Sequence, residues 1–266
     1  MTAYELMIKT NHYLINGGEL TEAHKAKITS QLLGAKSTIE QAHRRFPKLK
    51  GSERQMYPFL YVLPYNGGAK MNTIFNQEPQ TQILSMNMYE LEIIRLLSLF
   101  APNDPMIQEM VSQVHSRLKE TCFGNHGCGT GECYDAGLVT LRFLSATTPH
   151  SQSWISDQIN CYNNHIAEKK RSKYYGRQYS LYYMWYYWLC LSELPFEIAQ
   201  PEILRHKEEM LATAHESMAV NTTVAQTFNT VRLSALRNCL SRLPEYEYLK
   251  EYQPYVSEHD SRLYLI

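Results

Sequence analysis

The segment CFGNHGCGTGEC, residues 122–133, carries three cysteines, one histidine and four glycines in twelve positions. Zinc prefers thiolate and imidazole, and Cys122, His126, Cys128 and Cys133 offer four such ligands in the spacing C-x3-H-x-C-x4-C. Four ligands would make a closed structural Zn2+ site. Three would leave room for a water that becomes a nucleophile near neutral pH. The spacing departs from the usual paired form, because a single glycine separates His126 from Cys128. A second chemistry needs one thiol only. Cys128 with His126 reads as a thiolate–imidazole pair, and Cys133 falls at a helix start, where the dipole favours a thiolate. Glu132 and Asp135 oppose that thiolate by like charge and stand as acid/base candidates themselves. Against both readings, each cysteine taken alone is most often a small buried hydrophobe.

These residues need a scaffold, and the next segment, YDAGLVTLRFLSA, predicts a helix capped by Thr130 with Glu132 and Asp135 in its first turn. The glycine-rich link could also present backbone N–H groups to an anion, although it matches no phosphate-binding motif. Four stretches share one theme: YELEIIRLLSLFAP (89–102), YDAGLVTLRFLSATTP (134–149), YYMWYYWLCLSELP (182–195) and VRLSALRNCLSRLP (231–244). Their closing positions Pro102, Thr147, Pro195 and Pro244 are 45, 48 and 49 residues apart. Similar periods mark stacked helical pairs.

The segments between them are apolar on one side only. Asp104-Pro105 is an N-cap followed by proline at the first helical position, and Met106, Ile107, Met110, Val111, Val114 and Leu118 make its stripe. Trp154, Ile155, Ile159, Tyr162 and Ile166 repeat the pattern, and Pro201 is the expected start of a third helix with Ile203, Leu204, Met210 and Leu211. A helix apolar all round is buried all round. The alternation therefore predicts an all-α, two-layer array of helical pairs, either an α/α toroid or a short solenoid. Residues 1–266 read as one helical domain with helical-pair repeats over 87–245. A helix is expected from Thr21 to about residue 45, and residues 46–86 read as a loop-rich insertion over one end, with only FLYVLPY alternating like a strand.

HGCGTGECYDAGLVTLRFL, residues 126–144, is loosely similar to the stretch in which lanthionine-cyclase-like toroids place a Cys-His-Gly metal segment before an inner helix. The cysteine and histidine order is reversed here, and the chain is short for a full toroid. The resemblance implies a site at the end of the array where inner helices begin.

Residues 174–188, YYGRQYSLYYMWYYW, hold nine aromatics in fifteen positions, and Tyr175, Tyr179, Tyr182 and Tyr186 share one helical face. Such a face suits a pocket wall for a polar or flat ligand, or a core helix whose hydroxyls bond neighbouring carbonyls. Tyr134, Tyr179, Tyr182, Tyr186 and Arg177 are the substrate-binding candidates, and the basic run from Lys169 to Arg177 would favour an acidic substrate. Arg95, Arg142 and Arg237 interrupt helices expected to be buried and so require a carboxylate or a ligand anion.

Twenty-six basic residues balance twenty-six acidic ones, so charge gives no push toward nucleic acid or an anionic membrane. The start, MTAYELMIKTNHYLINGG, reads as a short amphipathic helix rather than a signal peptide, and no stretch is long and apolar enough to span a bilayer. A cytoplasmic protein with reduced cysteines is expected. The residues predict a small-molecule enzyme or binder acting on a polar or acidic substrate at a pocket centred on residues 122–133. If it is an enzyme, it would be a metal-assisted or Cys/His-dependent hydrolase, lyase or transferase. The rival reading is a non-catalytic helical-repeat scaffold whose concave row holds a protein partner.

Overall fold

The computed structural model describes residues 1–63, 71–79, 81–125, 132–148, 152–171 and 182–266, and of residues 52, 152, 165–171, 182 and 183 the backbone alone. The described chain is mostly helical, in paired helices, with one small sheet. Its packing groups it into two compact units. Unit 1 comprises Met1–Lys9, Leu20–Thr73 and Glu78–Tyr175; unit 2 comprises Thr10–Glu19, Ile74–Gln77 and Gly176–Ile266.

In unit 1 the helix α1 (Ala3–Ile15) begins, and α2 (Glu22–Gly34) and α3 (Ile39–Arg45) follow. The single helix expected from Thr21 to about residue 45 is thus two. The break is local chemistry: Thr38 starts α3 with a capping box, its Oγ accepting from the Gln41 N–H while the Gln41 side chain accepts from the Thr38 N–H. A 3-10 turn over Gly51–Met56 precedes α4 (Gln82–Phe100). Every residue of α4 from Leu84 to Leu97 is buried. This helix starts seven residues before the expected Tyr89, because Thr81 caps it, accepting from the Leu84 N–H. Its early polar residues bond to backbone: the Ser85 hydroxyl meets the Met71 backbone, and the Asn87 Nδ2 donates to the Met56 and Ile83 carbonyls.

Next come α5 (Pro105–Leu118), α6 (Cys133–Thr147) and α7 (Gln152–Arg171). Asp104 caps α5, accepting from the Met106 and Ile107 N–H groups with Pro105 at the first position, as the sequence requires. Ile107, Met110, Val114 and Leu118 are buried, while Met106 faces outward. In α6 the run Ala136–Phe143 is buried, and α7 buries Ile155, Ile159 and Tyr162. Helices α4 and α6 run parallel. Thr81, at the start of one, bonds Glu132, at the start of the other, and Glu92 pairs with Arg142 halfway along both. Their N-termini therefore share one end of the unit.

In unit 2, α8 (Tyr182–Glu193), α9 (Phe196–His215) and α10 (Thr223–Leu240) form the helical layer. Helix α9 begins at Phe196 and not at Pro201, which sits inside it. Strands β1 (Met218–Ala219), β2 (Tyr255–Val256) and β3 (Arg262–Tyr264) make an antiparallel sheet in the order β1-β3-β2, with Met218 opposite Leu263 and Tyr255 opposite Tyr264. The alternating stretch near residues 59–63 forms no strand. Its amides are gathered on a carboxylate instead.

Candidate functional site

That carboxylate is Glu90 of α4, which has no exposure. One oxygen, Oε2, accepts from the backbone N–H groups of Phe59 at 3.2 Å, Leu60 at 2.8 Å and Tyr61 at 3.0 Å; the other, Oε1, accepts from Arg117 at 3.0 Å. A buried charge persists only where such partners surround it. The effect is to hold the strap 59–63 against the N-terminal half of α4. Tyr61 donates its hydroxyl to the Leu32 carbonyl of α2 and sets its ring edge-on to Tyr89, 6.3 Å between centroids.

The strap forms one wall of a cavity of about 880 Å³ lined by the start of α1, the α2–α3 link, α3, Val62, Leu63, Met71 and Tyr89. Pockets for small molecules fall in this size range. Among the described residues three cations line it, Lys36, Arg44 and Arg45, and no aspartate or glutamate does. Arg45 is half-buried, donating to the Gln82 side chain at 3.2 Å and lying 5.9 Å from the Phe46 ring centre. Arg44 meets Glu40 at 3.8 Å in full solvent, a weak tie. Tyr4 donates its hydroxyl to the Asn72 carbonyl at 2.8 Å. Tyr89 is 5% exposed, and its hydroxyl takes no hydrogen bond among the described residues. Burial pushes both hydroxyls up to about 12, so each stays protonated and able to donate. The remaining wall is apolar, from Pro47, Val62, Leu63 and Met71.

The cysteine loop is placed as follows. Cys122 lies in the turn after α5 and Cys133 is the first residue of α6; their Sγ atoms are 3.4 Å apart and both are half-buried. His126, Cys128 and the expected cap Thr130 lie outside the described residues. Glu132 occupies the cap position before α6 without a side-chain capping bond. It is buried, and its Oε2 accepts from both the N–H and the hydroxyl of Thr81, each at 2.6 Å, so the expected acid/base residue ties the starts of α4 and α6 together. Asp135 is half-buried in the first turn of α6, and Tyr134 is buried. Among the described residues no three His, Cys, Asp or Glu side chains gather as a metal site.

Arg177 and Tyr179 lie outside the described residues, as do the side chains of Tyr182 and the basic run before them. Tyr186 is buried in unit 2 with its ring edge-on to Phe75, and Tyr187 donates to Glu202 at 3.1 Å. Both behave as core tyrosines. The three interrupting arginines are also engaged within the protein: Arg95 and Arg142 converge on Glu92, at 3.3 and 2.7 Å, and Arg237 donates to the Tyr252 carbonyl and to Asn238. Sequence reasoning missed Tyr4, Lys36, Gln41, Arg44 and Arg45. The signal available was the basic run HRRFPKLK, residues 43–50, inside a stretch read as helix end and loop.

No protein-family model, curated protein or solved structure matches the chain.

Proposed function

We propose that this protein binds a small acidic molecule in the cavity of unit 1, with an anionic head on Lys36, Arg44 and Arg45 and an apolar or aromatic body against Tyr4, Tyr89 and the Val62–Leu63 strap. One observation carries this reading: among the described residues, three cations and no carboxylate line a concave space of about 880 Å³. A guanidinium reads carboxylate and phosphate by paired N–H donors, and a half-buried one is less hydrated and grips harder. The volume exceeds what an inorganic anion fills, and the apolar wall gives the remainder of a ligand its contacts. The neutral Tyr89 hydroxyl adds a donor beside the cations, while Tyr4, whose one O–H goes to the Asn72 carbonyl, offers its ring and an accepting oxygen. This keeps the acidic substrate expected from the sequence and moves its site from residues 122–133 to the strap and α3.

Thermal denaturation of the full chain with matched ligand pairs tests it. Aryl carboxylates and aryl phosphates should raise the transition temperature, while the corresponding amides and unphosphorylated alcohols should not. The triple substitution Lys36→Gln, Arg44→Gln, Arg45→Gln should erase the difference. Equal stabilisation by the neutral partners, or a shift that survives in the triple variant, would refute the proposal.

A further inference from the structure

We infer that Cys122 and Cys133 form a reversible modification site, a dithiol that a low-molecular-weight disulfide such as oxidised glutathione converts to an intrachain disulfide. The inference is independent of the cavity, which neither thiol lines. Their sulfurs already touch at 3.4 Å, and bond formation asks them to close by about 1.4 Å, within reach of side-chain rotation. Both residues are half-buried, unlike Cys190 and Cys239, which are sealed in the core.

What sets this pair apart from two chance neighbours is how firmly each backbone is held. On the Cys122 side, the Thr121 hydroxyl donates to the Leu118 carbonyl, the Gly124 N–H donates to the Thr121 hydroxyl, and Asn125 donates to the Lys119 and Thr121 carbonyls. The Trp154 indole of α7 then donates to the Gly124 carbonyl at 2.8 Å. Gly124 lies so close to α5 that an added Cβ would stand 2.0 Å from the Leu118 oxygen. On the other side, Cys133 is the first residue of a fifteen-residue helix whose following residue, Tyr134, is buried. Two thiols fixed in contact make the second step of exchange intramolecular and fast.

The chemistry balances. The thiolate of one cysteine attacks the small disulfide, forming a mixed disulfide and expelling one small thiolate. The second cysteine, deprotonated, attacks the protein sulfur of that mixed disulfide and expels the second small thiolate. Two electrons pass to the small disulfide, and the two cysteine protons end on the two small thiols. The product pins the turn at residues 121–125 to the first turn of α6, beside the Glu132–Thr81 tie. Cys190 and Cys239 are buried, and burial pushes the Cys239 thiol up, so they serve as unreactive controls.

The test equilibrates the full chain in reduced and oxidised glutathione, traps thiols by alkylation, and maps tryptic peptides. Cleavage after Lys119 and Arg142 leaves all three loop cysteines in one peptide, Glu120–Arg142. The oxidised peptide should carry one alkyl group where the reduced peptide carries three, and weigh two hydrogens less than a singly alkylated dithiol. Reduction and a second, different alkylating agent should then place the first label on Cys128, and dithiothreitol before trapping should restore the trialkylated peptide. Cys128→Ser should still form the lighter species. Alkylation of all three cysteines at every glutathione ratio, a link that includes Cys128, or loss of the lighter species in Cys128→Ser would overturn the inference.

Discussion

Substituting Glu90→Gln removes the carboxylate charge that gathers the amides of the cavity wall. In the folded chain, Arg117 and Glu90 are both almost wholly buried, 3.0 Å apart. After the change, Arg117 keeps one partner of full strength, the Gln55 carbonyl at 2.9 Å, and its charge stays buried without a counter-charge. Breaking a buried pair this way costs about 3–5 kcal/mol. The three strap amides also lose a charged acceptor, and a glutamine NH2 cannot accept from any of them. Arg117→Met should cost less, about 1–3 kcal/mol, because the Glu90 carboxylate retains three N–H donors. Chemical denaturation followed by circular dichroism gives both numbers, and hydrogen exchange at residues 59–61 locates the damage. Exchange there should accelerate in Glu90→Gln before the rest of unit 1 opens. A cost below about 1 kcal/mol for Glu90→Gln, or a larger cost for Arg117→Met, would refute the reasoning.

Gly124→Ala should destabilise by about 1–3 kcal/mol, because the new Cβ meets the fixed Leu118 backbone at 2.0 Å; a change within about 0.5 kcal/mol in urea denaturation would contradict that placement. Stability should also fall on mild acidification. His12 is buried and His115 half-buried, and desolvation lowers both below their ordinary 6.5, so the unfolded chain binds their protons more readily. Their contribution is present above about pH 6.5 and is lost as pH drops through the lowered folded values. The His12 ring nitrogen Nε2 meets the Ile74 carbonyl at 2.6 Å, so neutral His12 donates there. The denaturation midpoint should decline from about pH 7.5 to about pH 5, less steeply in His12→Gln, whereas a flat profile in the wild type would contradict it.

Where periodicity and caps speak together, the sequence is enough. Asp104-Pro105 starts α5 where expected, and the apolar runs ending near Pro102, Thr147, Pro195 and Pro244 are buried helices. Where polar residues are buried in specific bonds, the pattern misleads. QILSM, residues 82–86, reads as the end of the loop-rich stretch, yet it belongs to α4, where the Ser85 hydroxyl bonds to the Met71 backbone. Glu132 and Asp135 are indistinguishable as sequence, but only the fold brings Thr81 to one of them. The alternation in FLYVLPY is real, but its strap is ordered by the side chain of Glu90 rather than by a neighbouring strand. The cavity was least legible, because its wall is drawn from residues 2–4, 34–47, 62–63, 71 and 89, which no local spacing rule connects.

Equilibrium titration reads out whether the cations on α3 and its approach hold an acid. The best aryl phosphate or aryl carboxylate from the thermal comparison is titrated calorimetrically into wild-type chain and into Arg45→Gln. Losing one half-buried charged hydrogen bond, about 1.5–3 kcal/mol, should weaken binding about tenfold to a hundredfold, with a further loss as salt is raised. Equal affinity in the two proteins, or affinity indifferent to salt, would contradict it.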